Sequence, residues 1–155
     1  MWAFPIIFGM ATFALLTVGP VSATEQRQFD YMINCQGCHL ADGSGNASRQ
    51  VPSFPGQLEK FLSVSGGREY LAQVPGSALS GLSDERLAGV LNWMLEEFST
   101  TALPTDFKPF TGGEIHPWRD QVPIDVGKIR EELLERIVQK EKQYPIGALT
   151  HEELN

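Results

Sequence analysis

Cys35-Gln36-Gly37-Cys38-His39 constrains this chain more than any other segment, because five positions hold both of its cysteines and one of its three histidines. Two thiols three positions apart on a helical turn project to the same side, and the residue after the second thiol is set beside them. Several uses of such a pair compete. A thioredoxin-like redox pair needs a βαβ setting, and no segment here reads as a convincing strand. A structural zinc site wants four ligands, but His116 and His151 lie far along the chain and there is no second cysteine pair. A disulfide closing so short a loop constrains little of the unfolded chain. The use that fits is covalent attachment of one haem, with Cys35 and Cys38 adding to its two vinyl groups and His39 ligating the iron.

The N-terminus bears on where such chemistry takes place. Residues 2–23 carry no charged side chain and run through Ile6, Ile7, Phe8, Phe13, Leu15, Leu16 and Val18 to Val21-Ser22-Ala23. This pattern reads as an export signal, with small residues where a signal peptidase cuts after Ala23. No Lys or Arg precedes the apolar run, so an uncleaved anchor of about 20 residues is the alternative. Pro5 and Pro20 suit a signal better than a spanning helix. Either way the rest of the chain is expected outside the cytoplasm, in the periplasm, touching the membrane only if residues 1–23 stay attached. All the charged side chains follow residue 23 and give a net charge of -7. An acidic surface repels nucleic acid and anionic headgroups and favours a partner with a basic patch.

Hydrophobic periodicity predicts helices throughout. The stretch from Thr24 to about Cys38 can form one, with Thr24 as a possible cap and Phe29, Ile33 and the neighbourhood of Met32 at helical spacing. Gly and Pro make residues 41–56 a loop. A short helix near residues 57–64 follows, with Leu58, Phe61 and Leu62 on one face, then a second short piece through Tyr70 and Leu71. Ser83 caps the clearest helix, in which Leu87, Val90, Leu91, Met94 and Leu95 repeat at i, i+3, i+4, i+7 and i+8 as far as Phe98. A capping-box pattern at Thr111 and Glu114 starts a short helix containing Ile115, His116 and Trp118. The last helix runs from about Asp125 to Lys142, with Val126, Ile129, Leu133, Ile137 and Val138 on one stripe. The fold is therefore all-α, small and loop-rich. It divides into a signal or anchor (1–23), a haem domain (24–98) and a helical extension (99–155).

Residues 24–98 resemble the class I c-type cytochromes, the monohaem cytochrome c family. The resemblance rests on Tyr31 four before the first cysteine, the Cys35–His39 motif, Ala41-Asp42-Gly43, the Val51-Pro52-Ser53-Phe54-Pro55-Gly56-Gln57 loop, and Leu82-Ser83-Asp84-Glu85 leading to Leu91-Asn92-Trp93. It implies a first and a last helix crossing beside the attachment site with Trp93 packed at the crossing. It also implies a loop carbonyl that accepts the second ring N–H of His39. The glycine usual eight before the first cysteine is Arg27 here, so the helix crossing must differ in detail. Members of this type commonly place a Met four before the Leu-Ser-Asp that opens the last helix, and the matching residue here is Ala78. No methionine lies between Met32 and Met94. The sixth iron ligand is therefore absent, His116, or a Met such as Met94. Arg68, Tyr70, Trp93 and Trp118 are of types that could reach haem propionates or the haem edge.

Together these observations point to a periplasmic monohaem c-type cytochrome, with one haem c held by Cys35, Cys38 and His39. It would transfer electrons between an exported dehydrogenase, or a similar donor, and an acceptor. No nucleophile–base pair or phosphate loop accompanies the motif, so the chain is expected to be an electron carrier and not an enzyme in itself. A haem-based sensor of small ligands with an open distal site, or a haem-containing structural subunit of a redox complex, are the alternatives. The stripe of the final helix needs burial, either against its own haem domain or in a partner's groove.

Overall fold

The computed structural model describes residues 22–143. The expected signal, up to residue 21, and His151 lie outside the described residues. Among the described residues seven helices occur in order: α1 (Ala23–Asn34), α2 (Leu58–Phe61), α3 (Gly67–Gln73), α4 (Pro75–Ala78), α5 (Asp84–Phe98), α6 (Gly112–Arg119) and α7 (Val126–Gln143), with a 3-10 turn at Ala47–Arg49. Among the described residues no strand forms, only one bridge between Asn46 and Val51. The chain is all-α, as the periodicity predicts.

The start of α1 differs from expectation. Ser22, not Thr24, is the cap: its hydroxyl accepts from the Glu25 amide at 3.2 Å, and the Glu25 carboxylate accepts from the Ser22 amide at 2.9 Å. The reciprocal pair satisfies two donors that the helix start leaves free. Its buried face also differs. Tyr31 and Asp30 turn inward, while Phe29, Met32 and Ile33 are each more than half exposed. Asp30 tolerates burial because Arg86 of α5 closes an ion pair over it and Gln26 donates to it.

α5 is the central element. Leu87, Val90, Leu91, Met94 and Leu95 are all buried, as their spacing predicts, and the Ser83 side chain caps the helix through the Arg86 amide. α1 crosses it with Tyr31 against Trp93 and Phe98, ring centroids 5.2 and 5.5 Å apart. The bulk of Arg27 is accommodated from the other side of the crossing. Gly89 of α5 presents no side chain there, and a Cβ at 89 would already stand 3.5 Å from Arg27 Cγ.

The segment after Phe98 packs back on the helices before it. α6 lies against α5 and α3, and α7 against α2 and α3. Leu133 and Ile137 are fully buried, Val126 and Ile129 pack partly against the core, and Val138 faces outward, so the α7 stripe is narrower than expected. Arg68 of α3 fixes α6 by donating to both Glu114 carboxylate oxygens (3.0 and 2.8 Å) and to the Lys108 carbonyl, with its guanidinium 4.0 Å over the Phe110 ring. At the far end Arg136 and Lys140 donate to the Ser65 and Ser63 carbonyls.

Candidate cofactor site

The motif follows α1 directly, as a turn that starts at the helix C-cap Cys35, instead of lying within the helix. The Cys35 and Gln36 amides both donate to the Tyr31 carbonyl, and the Cys38 and His39 amides both donate to the Cys35 carbonyl at 3.1 and 3.0 Å. Cys35, Cys38 and His39 therefore leave one compact turn. Both thiols are free, Cys35 half-buried and Cys38 exposed. Burial, with the nearby Asp30 and Cys38, pushes the Cys35 thiol up to about 11, so it is held as the thiol at neutral pH.

The turn is fastened on both sides. The Tyr31 hydroxyl donates to the Leu40 carbonyl at 2.7 Å, and the Leu40 amide donates to the Ser44 carbonyl. Gly43 then turns the chain at φ 74°, where a Cβ would meet the Phe98 ring at 2.9 Å, and its carbonyl accepts from the Phe54 amide. Phe54 is thereby placed flat against His39, with centroids 3.7 Å apart and planes 20° from parallel. Gly45 brings the same loop close to Val51 and Pro52, whose carbonyl oxygens leave no room for a Cβ.

His39 Nδ1 is buried without a completed hydrogen bond. The Pro52 carbonyl nonetheless faces the ring and favours its proton, against a larger effect of burial that lowers the pKa below its ordinary 6.5. The result is a neutral imidazole, the form that donates a ring lone pair to a metal. Two free thiols and a neutral imidazole on one turn, with the Pro52 carbonyl beside the ring, are a donor set that fits haem c.

Other residues singled out by the sequence lie elsewhere. Trp93 packs at the α1–α5 crossing as the resemblance implies. Arg68 is committed to Glu114 and Phe110, and Trp118 meets the Phe110 ring edge-on at 6.4 Å. Tyr70 is buried on Phe61 with centroids 5.2 Å apart. Arg68 is thus committed to α6, and Tyr70 and Trp118 are placed by ring packing. Met94 is a core side chain, 5% exposed, and Met32 is on the outer face of α1. His116 stands at the surface of α6 with Nδ1 2.8 Å from Asp84 Oδ2. Ala78 is buried at the end of α4.

Two contributors escaped the sequence. Phe54 was legible only as a loop residue, although an aromatic between two prolines is a packing signal. Arg119 of α6 gave no signal. It donates to the Ala78, Ser80 and Leu82 carbonyls at 3.1, 2.7 and 2.7 Å and to Asp84 Oδ1 at 2.9 Å, and nothing in its local sequence points to a loop some forty residues away.

No family model matches the chain, and no solved structure matches it. Two curated relatives do, both from Thermus thermophilus. One cytochrome c-552 of that organism is 28% identical over 124 residues, covering 68% of this chain and 83% of its own length. Another cytochrome c-552 of Thermus thermophilus is 31% identical over 103 residues, covering 55% of this chain and 78% of its own. With that identity over more than three quarters of a relative's length, and with an all-α fold that presents two thiols and an imidazole on one turn, the chain belongs to the monohaem c-type cytochromes, electron carriers with covalently bound haem c.

Proposed function

We propose that this chain is an exported, periplasmic cytochrome that moves single electrons between an exported dehydrogenase, or a similar donor, and an acceptor. Cys35 and Cys38 would form the two thioethers, each S–H adding across a vinyl double bond, and His39 would be the axial ligand. The haem supplies the ferric–ferrous couple. The protein's part is to hold the ligand: the Phe54 ring fixes the plane of His39, the Tyr31–Leu40 bond fixes its backbone, and the Pro52 carbonyl favours a proton on Nδ1, which leaves Nε2 to coordinate.

The observation that carries the proposal is the turn that presents Cys35, Cys38 and a half-buried, neutral His39 together. Export is supported by the uncharged run before α1. Among the described residues no helix is long and apolar enough to cross a membrane. The uncharged, exposed side chains of Phe29, Met32 and Ile33 offer a redox partner an approach beside the motif.

The test is expression in a periplasm with cytochrome c maturation machinery, followed by a pyridine haemochromogen spectrum of the denatured protein and a potentiometric titration. Covalent haem and a reversible one-electron wave are expected, with haem lost in Cys35→Ser/Cys38→Ser. A chain that emerges without haem, or whose haem extracts into acidified solvent, would overturn it.

A further inference from the structure

The loop that joins α4 to α5 carries no side chain able to ligate iron at the position where the family resemblance expects one. Ala78 offers only a buried methyl group, and the nearby Ser80 hydroxyl donates to the Ser77 backbone carbonyl at 2.8 Å. The other methionines and histidines among the described residues are committed elsewhere. Met94 is packed in the core, Met32 faces outward from α1, and His116 is held by Asp84.

The same loop is nevertheless fixed. A bond from a loop side chain to a metal would tether it, but here the extension supplies the tether. Arg119, with its side chain 15% exposed, reaches from α6 to the carbonyls of Ala78, Ser80 and Leu82 and anchors itself on Asp84. A planar guanidinium with its donors in a fixed fork can hold three carbonyls in one geometry. A loop so held does not need an iron bond to keep its shape.

We infer that Arg119 holds the 78–82 loop, and that a haem held through Cys35, Cys38 and His39 would receive no second side-chain ligand from residues 22–143 and would be open to a small neutral diatomic such as carbon monoxide or nitric oxide. This rests on the haem attachment proposed above. Arg119 acts as a positioning residue.

The test uses the haem-loaded protein. Its pyridine haemochromogen spectrum first reports whether haem is attached, and a missing signal overturns the attachment itself, separately from the state of the iron's open face. The ferrous protein is then titrated with carbon monoxide. A high-spin spectrum without sharp α and β bands, converted to a carbonyl complex with one ligand per haem, is expected, and it should persist in Met94→Leu and His116→Ala. Sharp low-spin bands indifferent to carbon monoxide would overturn the inference while leaving the attachment intact. Arg119→Ala should keep its helical circular dichroism and its haem but rebind carbon monoxide after flash photolysis at a rate altered several-fold. An unchanged rate would remove Arg119 from the account.

Discussion

The Tyr31 hydroxyl donates to the Leu40 carbonyl at 2.7 Å, so that a core residue of α1 grips the backbone directly after His39. The phenol is fully buried, and burial, aided by Cys35 and Asp42, pushes it up to about 12. Tyr31→Phe keeps the rings packed on Trp93 and Phe98 but leaves the carbonyl without its donor. A loss of about 1 kcal/mol is expected, read as a lower urea midpoint at unchanged m-value.

The two thiols should differ in reactivity before haem is attached. Cys38 is exposed, whereas Cys35 is half-buried with its thiol held near 11. Since the thiolate is the nucleophile, iodoacetamide at pH 8 should label Cys38 first, with Cys35 following only as the pH approaches 11. Peptide mass spectrometry of a time course measures the order, and equal labelling would contradict the buried placement of Cys35.

Burial of His39 predicts the acid behaviour of the haem-free chain. Its folded pKa lies below the ordinary 6.5. Between the two values the unfolded state therefore binds more protons than the folded one, and stability rises with pH across that window. The contribution is complete above 6.5 and is lost as pH falls through the depressed folded value. Urea midpoints of the haem-free protein should drop from pH 7.5 to pH 5, and His39→Gln should flatten that part of the dependence.

Gly89 costs helix stability in the middle of α5, and an added methyl there meets Arg27 only at ordinary contact distance, 3.5 Å from Cγ. Gly89→Ala should stabilise by up to about 1 kcal/mol through helix propensity. Gly89→Leu should reverse the sign by driving into the Arg27 stem. Thermal melts of the two variants test whether this position admits the crossing of α1.

Arg68 joins α3 to α6 through two bonds to Glu114, and both side chains are less than a third exposed. Glu114→Gln removes the charge on one side of the pair and should cost about 2 kcal/mol, the range for hydrogen bonds to charged groups. Protease sensitivity between residues 99 and 125 should rise in parallel.

Legibility tracked sequence distance. α5 was readable because one turn after another repeats the same apolar face and Ser83 sits at its start. α6 was readable from Thr111 and Glu114, but only half of that box forms: Thr111 Oγ accepts from the Glu114 amide, while the Glu114 carboxylate goes to Arg68, 46 residues away. The inner face of α1 was misjudged for the same reason. Asp30 reads as a surface residue until Arg86, 56 positions on, neutralises it, and with Tyr31 also turned inward Phe29 and Ile33, two residues to either side of Tyr31, fall on the opposite face. That Cys35, Cys38 and His39 share one turn was legible because they fall within five consecutive residues. Phe54 and Arg119 reach their partners only through the fold.

The fastening of α1 at Ser22 has a bearing on how the chain is processed. Cleavage after Ala23 would carry away Ser22 and with it both hydrogen bonds to Glu25. It would also leave a free, positively charged amino group on Thr24 at the end of a helix whose dipole already points positive there. Such a cut would thus leave a first helix with a frayed leading turn, while the uncut chain keeps a sealed one. Maturation by trimming and maturation by haem attachment would then act at opposite ends of the same three turns, one loosening what the other ties down.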